Sequence, residues 1–183
     1  IEAEYDAGAV RIGGQLQDAR AYWADNGTPL STAEVNAIEL VAGYVTVELG
    51  DAPSTGSSSE LTAGRFLLNL GSKRLAASPG FRNTANGFTG ARFDWSNKDR
   101  GQDLTLFYTL PQQRLPSDRP SLLDNSIEWD REGGELRFWG GIFSSAISRS
   151  GPTLEAYVYG LDEDDRPGNA TKNRHLITPG ARL

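Results

Sequence analysis

The stretch DNSIEWDRE, residues 124–132, brings together Asp124, Glu128, Asp130 and Glu132. Two carboxylates flanking a glycosidic bond can hydrolyse it, one as acid and the other as nucleophile or base. Acid pairs are also common in exposed loops, and that plainer account suffices here. The run Asp162–Asp165 (DEDD) offers clustered oxygens to a hard cation such as calcium. It lacks the spacing and the glycine of an EF-hand loop, so a solvated acidic loop explains it better. A serine–histidine–aspartate triad would have to use His175, the single histidine, and no G-x-S-x-G motif lies near it. GSKRL, residues 71–75, follows a strand-like stretch without the glycine pattern of a phosphate loop. Asn26 and Asn169 head glycosylation sequons. What remains is a set of basic residues inside or beside strand-like stretches: Arg65, Arg92 and Arg137, with Lys73, Arg74 and Arg82 between the first two.

Composition narrows the setting for that set. The chain has 183 residues, no cysteine and one histidine, which removes disulfides, cysteine metal sites and multi-histidine sites. A formal net charge of −6 argues against a general nucleic-acid binder. No run reaches the ~18 apolar residues of a transmembrane helix. There is no methionine and no visible signal peptide, so a mature or excised piece is expected. Abundant glycine and dispersed aromatics fit an all-β protein.

Alternation predicts strands over 1–6, 10–23, 36–49, 59–71, 87–97, 102–111, 134–147, 152–161 and 175–183. Many are close to the ten residues a tilted strand needs to cross a bilayer. STAEVNAIEL, residues 31–40, starts like a capping box but runs into β-branched residues and glycine, so at most one helical turn is expected there. The connections alternate between tight and long. Tight or intermediate ones fall near 7–9, 50–58, 98–101 and 148–151; long ones fall near 24–35, 72–86, 112–133 and 162–174. In an up-and-down sheet this gathers tight turns at one end and long loops at the other, as in outer-membrane barrels.

The faces point the same way. Leu104, Leu106, Tyr108 and Leu110 oppose Asp103, Thr105, Phe107 and Thr109. Val10, Ile12 and Leu16 oppose Arg11, Gln15 and Gln17, and Phe93 and Trp95 oppose Arg92 and Asp94. In the seventh segment Leu136, Phe138, Gly140 and Ile142 read as the apolar face, with Arg137 and Trp139 on the other. Arg65 can stand mid-strand if its face lines a wet lumen, since a lipid-facing arginine near the midplane costs roughly 2–4 kcal/mol. A half-buried sheet in a soluble protein shows the same alternation with its polar face in water.

LTAGRFLLNLGSKRL, residues 61–75, followed by FRNTANGFTGARFDW, residues 81–95, resembles the alginate export family of bacterial outer-membrane β-barrels. FYTLPQQRLP (107–116) and HLITPGARL (175–183) look like further family segments. The resemblance implies an antiparallel up-and-down transmembrane barrel of about eighteen strands, of which this chain holds about half. Residues 1–183 then form one barrel domain, incomplete at both ends. It also implies passage of a polyanionic polysaccharide through a basic lumen. By position, Arg65, Arg92 and Arg137 become lumen candidates. Lys73, Arg74 and Arg82 lie in a loop, 72–86, that has no acid and would sit near the outer mouth. Basic residues along a pore raise the local concentration of anions. The expected partners are outer-membrane lipid and an anionic or carbohydrate solute, in the bacterial outer membrane, with oligomers if other strands do not complete the barrel. No cofactor, no catalysis and no nucleic-acid partner is expected. Trp139 and Tyr157 could line a sugar path, and aromatics such as Trp95, Tyr108 and Tyr159 could form interfacial girdles. Two alternatives stay open: a soluble carbohydrate-binding β-sandwich, and a self-assembling β-rich structural protein.

Overall fold

Nine stretches of alternating residues become strands in the computed structural model, which describes residues 1–78, 82–148, 151–167 and 171–183. They are β1 (Glu2–Asp6), β2 (Val10–Ala19), β3 (Asn36–Gly50), β4 (Ser58–Leu67) and β5 (Gly87–Asn97), then β6 (Gln102–Pro111), β7 (Leu136–Ala146), β8 (Thr153–Glu163) and β9 (His175–Arg182). Each predicted strand is present. Two end early: β2 stops at Ala19 and β4 at Leu67. After β4 the chain turns over the sheet and buries Leu68 and Leu70.

One helix, α1 (Arg119–Leu123), was not expected. Asp118 caps it by accepting the Ser121 N–H at 3.1 Å, and Pro120 sits in its first turn, a favoured position. At 31–35 the capping-box residues do form one turn. The Ser31 N–H and hydroxyl both donate to Glu34 Oε2, at 2.8 and 2.7 Å. The chain then goes straight into β3.

The sheet follows chain order, β1 through β9, and every pairing is antiparallel. Connections 7–9, 51–57, 98–101 and 147–152 lie at one end, and 20–35, 68–86, 112–135 and 164–174 at the other. Residues 149–150, at the tip of one expected tight turn, and the Asn169 sequon lie outside the described residues.

The sheet is curled. Adjacent strands run ~4.8 Å apart, so residues two strands apart on a flat sheet sit nearly 10 Å from one another. Yet the rings of Phe88 on β5 and Phe138 on β7 have centroids 6.2 Å apart. Phe107 on β6 and Tyr159 on β8 are at 5.8 Å. Side chains converge over this face, which is therefore concave. Gly140, on the same face, adopts φ +147°, and a Cβ there would lie 2.2 Å from the Val158 carbonyl oxygen. Only glycine lets β7 bend this close to β8.

The convex face is apolar across its whole width. One register row runs Tyr5, Ile12, Val45, Ala63, Ala91, Tyr108, Trp139, Gly160, Ile177, one residue from each strand. The next runs Val10, Val47, Leu61, Phe93, Leu106, Gly141, Val158, Pro179. Neither contains a charged residue. Tyr5, Ile12, Val45, Leu61, Leu106 and Val158 are all exposed. An uncovered apolar band this broad is far beyond the scattered residues of a water-facing surface.

Candidate functional site

The concave face has two zones. At the loop end it is apolar and covered. Leu68, Leu70 and Ala76 fold back from β4 and pack on Phe66, Phe88, Phe107 and Tyr159. At the tight-turn end it is open and charged. Glu2, Glu4 and Asp6 come from β1, and Glu48 from β3. Glu60, Asp94, Asp103 and Glu155 continue the acids across β4, β5, β6 and β8. Arg11, Arg92 and Arg182 share the face. Each meets an acid: Arg11 pairs with Glu60, Arg92 with Asp94 at 2.5 Å, and Arg182 with Glu155 at 2.7 Å. A hollow of about 260 Å³ lies among Glu2, Glu4, Arg11, Tyr44, Glu60 and Arg92.

Of the basic candidates, Arg92 stands on the concave face, its guanidinium 5.6 Å from the Phe66 ring centroid. The Thr105 hydroxyl donates to the same Asp94 that Arg92 engages. Lys73 and Arg74 are exposed on the inward-folded segment. The Lys73 N–H donates to Leu70 O at 2.8 Å and closes a tight turn. Arg74 borders a hollow of about 320 Å³ with Glu155, Tyr157, Tyr159 and Arg182. In it the rings of Tyr157 and Tyr159 stack at 4.8 Å and 15°. Arg82 is exposed farther along the same connection.

Two placements differ from the expectation. Arg65 shares its parity with Leu61 and Ala63, which belong to the convex apolar face. Its guanidinium leaves that face and turns into a buried network at the loop end. Nη1 donates to Glu39 Oε1 at 2.6 Å and to Leu40 O at 2.9 Å; Nη2 donates to Glu132 Oε2 at 3.0 Å and to Asp130 O at 3.3 Å. Arg137 stands on the convex side, in register with Asp162, and pairs with Asp164 at 2.6 Å. Trp139 is beside it, donating Nε1–H to Asp162 Oδ2 at 2.8 Å, away from any inner sugar path. The faces of β7 are thus the reverse of the expectation. Phe138 and Ile142 pack on the inner core, and Phe143 faces out. Both faces of β7 are apolar, and the core beneath the infolded segment claims Phe138 and Ile142.

The network around Arg65 fastens connection 112–135 to the sheet. Glu39, 1 % exposed, also accepts the Asp130 N–H at 2.8 Å. Asp130 is buried too and accepts from the Leu115 N–H at 2.8 Å and from Asn36 Nδ2 at 3.1 Å. Burial pushes the Asp130 carboxyl above the usual carboxylate range despite these donors and the nearby Arg65 and Arg114. Burial likewise lowers the Arg114 guanidinium, whose Nη1 donates to the Thr84 hydroxyl at 2.9 Å.

Most of the acids weighed for chemistry are held in structural contacts. Asp130 and Glu132 belong to the Arg65 network. In the acidic run, Asp162 meets His175 at 3.0 Å and Glu163 meets Arg174 at 2.5 Å. Asp164 meets Arg137, and Asp165 accepts from Thr171 and Asn173. Among the described residues no group of three or more histidine, cysteine or acidic side chains is arranged to hold a metal ion. Nothing in the sequence marked Glu39 and Asn36 as part of the site. Their side-chain partners lie between 26 and 94 residues away, and only the fold brings them together.

No curated protein and no solved structure matches this chain significantly. A curled, all-antiparallel, up-and-down sheet with an apolar outside and a polar inside is the wall of an outer-membrane barrel. The sequence profile for alginate export matches residues 3–183, nearly the whole chain, and the chain therefore belongs to the alginate export family of outer-membrane transport channels.

Proposed function

We propose that the nine strands form one side of a passive outer-membrane conduit for a hydrophilic solute of the carbohydrate class. The carrying observation is the pair of register rows on the convex face, uninterrupted by charge over eight or nine strands. Lipid is the solvent such a band fits, and the polar concave face then meets water. Arg74, Arg182 and the stacked pair Tyr157–Tyr159 around one hollow support contact with a sugar ring and its polar substituents. Lys73 and Arg74 project from the infolded segment over the inner wall, to which Arg92 belongs, and Arg82 adds a basic residue to the loop end. The segment 68–76, folded over the wall, narrows the passage. No step of this function needs a cofactor or a chemical reaction.

The test is reconstitution of the full-length protein in planar lipid bilayers. Discrete conductance steps, and β-structure that depends on detergent micelles or lipid, are the expected result. A compact β-rich monomer in plain buffer that gives no conductance would overturn the reading and point to a soluble sugar-binding sheet.

A further inference from the structure

The acidic wall at the tight-turn end sets the charge of what passes. We infer that this half of the wall attracts cations and repels polyanions, so that the solute is uncharged or cationic. The inference rests on reading the concave face as the wall of a conduit.

Three observations carry it. First, acids outnumber arginines there, and they spread over six strands from β1 to β8 rather than forming one local group. Second, each arginine on this zone is already spent on an acid: Arg11 on Glu60, Arg92 on Asp94, Arg182 on Glu155. Among the described residues no arginine or lysine pairs with Glu2, Glu4, Glu48 or Asp103, and Glu48 and Asp103 are exposed. Arg11 also feels Glu4 and Glu48, and the acids still outnumber the arginines within the wall. Third, Arg74 of the infolded segment borders this zone beside Glu155 and Arg182, and one added charge leaves the acids in excess.

A wall of one sign with a low-dielectric protein and lipid backing focuses its field into the water beside it. Rings of Asp and Glu are how cation channels select. A chain of carboxylates approaching from the tight-turn end would meet repulsion from acids on six of the nine strands. An uncharged sugar meets no such barrier.

The experiment is the reversal potential of the full-length channel in a planar bilayer under a tenfold KCl gradient. It compares the wild type with the double variant Glu48→Gln, Asp103→Asn. Both side chains are exposed, and conductance steps from the variant show that it still assembles. The wild type should prefer K⁺, and the variant should lower the K⁺/Cl⁻ permeability ratio by roughly twofold or more. Conductance with an unchanged ratio in the variant overturns the inference while the conduit stands. Absence of conductance in the wild type overturns both. A wild type that prefers Cl⁻ overturns the inference, and the polyanion reading takes its place.

Discussion

Arg65 and Glu39 meet at 2.6 Å, 26 residues apart in the chain, with Glu39 all but closed to solvent. The pair ties β4 to the part of β3 that extends beyond their shared register and pairs with β2 alone. Through Asp130 and Glu132 it also ties down the long connection between β6 and β7. Removing one member of such a pair leaves a buried charge without a partner. Arg65→Ala or Glu39→Ala should each cost about 3–5 kcal/mol. Replacing both should cost less than the sum of the two. Urea unfolding of the full-length protein in micelles would measure the three values, and strict additivity would show that the pair does not act as a unit.

Lipid facing is tested most directly in the middle of the apolar rows. Leu106→Arg places a charge beside Phe93 and Gly141 on the convex face. It should destabilise the lipid-embedded protein by roughly 2–4 kcal/mol. Ser144→Arg, in register with Asp103 on the concave face, should change stability by less than about 1 kcal/mol. Equal effects from the two, read from unfolding in lipid vesicles, would mean that both faces meet the same solvent.

Gly140 permits the tight approach of β7 to β8. Gly140→Val adds a branched side chain where the Val158 carbonyl oxygen leaves no room and where φ is positive. A loss of roughly 2–4 kcal/mol is expected, from backbone strain and forced displacement. Gly134→Val, which has open space around its Cβ, is the control. Thermal unfolding followed by β-sheet circular dichroism distinguishes them.

The buried Asp130 makes its connection sensitive to pH. Burial raises the carboxyl above its unfolded value of about 3.9. The folded protein thus holds this proton more tightly than the unfolded chain does. The stabilising contribution is fully present below the unfolded value and is lost as pH rises through the raised, folded one. Wild type should therefore lose part of its stability over that window, and Asp130→Asn should lose the dependence. Parallel melting curves for the two proteins from about pH 3.9 upward would refute the assignment.

The infolded segment predicts the size of the passage. Shortening 69–76 to a tight connection removes Leu70 and Ala76 from the inner core. Single-channel conductance should rise severalfold if this segment narrows the conduit, and should stay constant if it lies beside the path.

Much of this architecture is legible in sequence because period two is unambiguous where one face is charged. β6 is the clearest case: Asp103 and Thr105 against Leu104, Leu106 and Tyr108 leave a single way to orient the strand. β7 misleads because Phe138 and Ile142 compete with Trp139 and Phe143, and alternation has no preference between two apolar faces. Arg65 misleads for a related reason. A mid-strand arginine suggests a wet face, but its long side chain carries the charge up to Glu39 and Glu132, so the face can be apolar. The short helix after Asp118 was hidden in a long connection, since five residues give no readable period. The Arg65 network itself unites β3, β4 and a distant loop, which no local pattern encodes.

The directions of the two edge strands have an arithmetical consequence. β1 and β9 are separated by seven alternating strands, so they run the same way. An antiparallel closure from β9 round to β1 must therefore insert an odd number of strands, whatever supplies them. A second copy of this sheet set the same way up in the membrane would meet both edges parallel. To meet them antiparallel it would have to be inverted, with its long loops on the opposite side of the bilayer. Parity thus disfavours a closed ring of two identical sheets and favours closure by strands of different sequence, giving an even total.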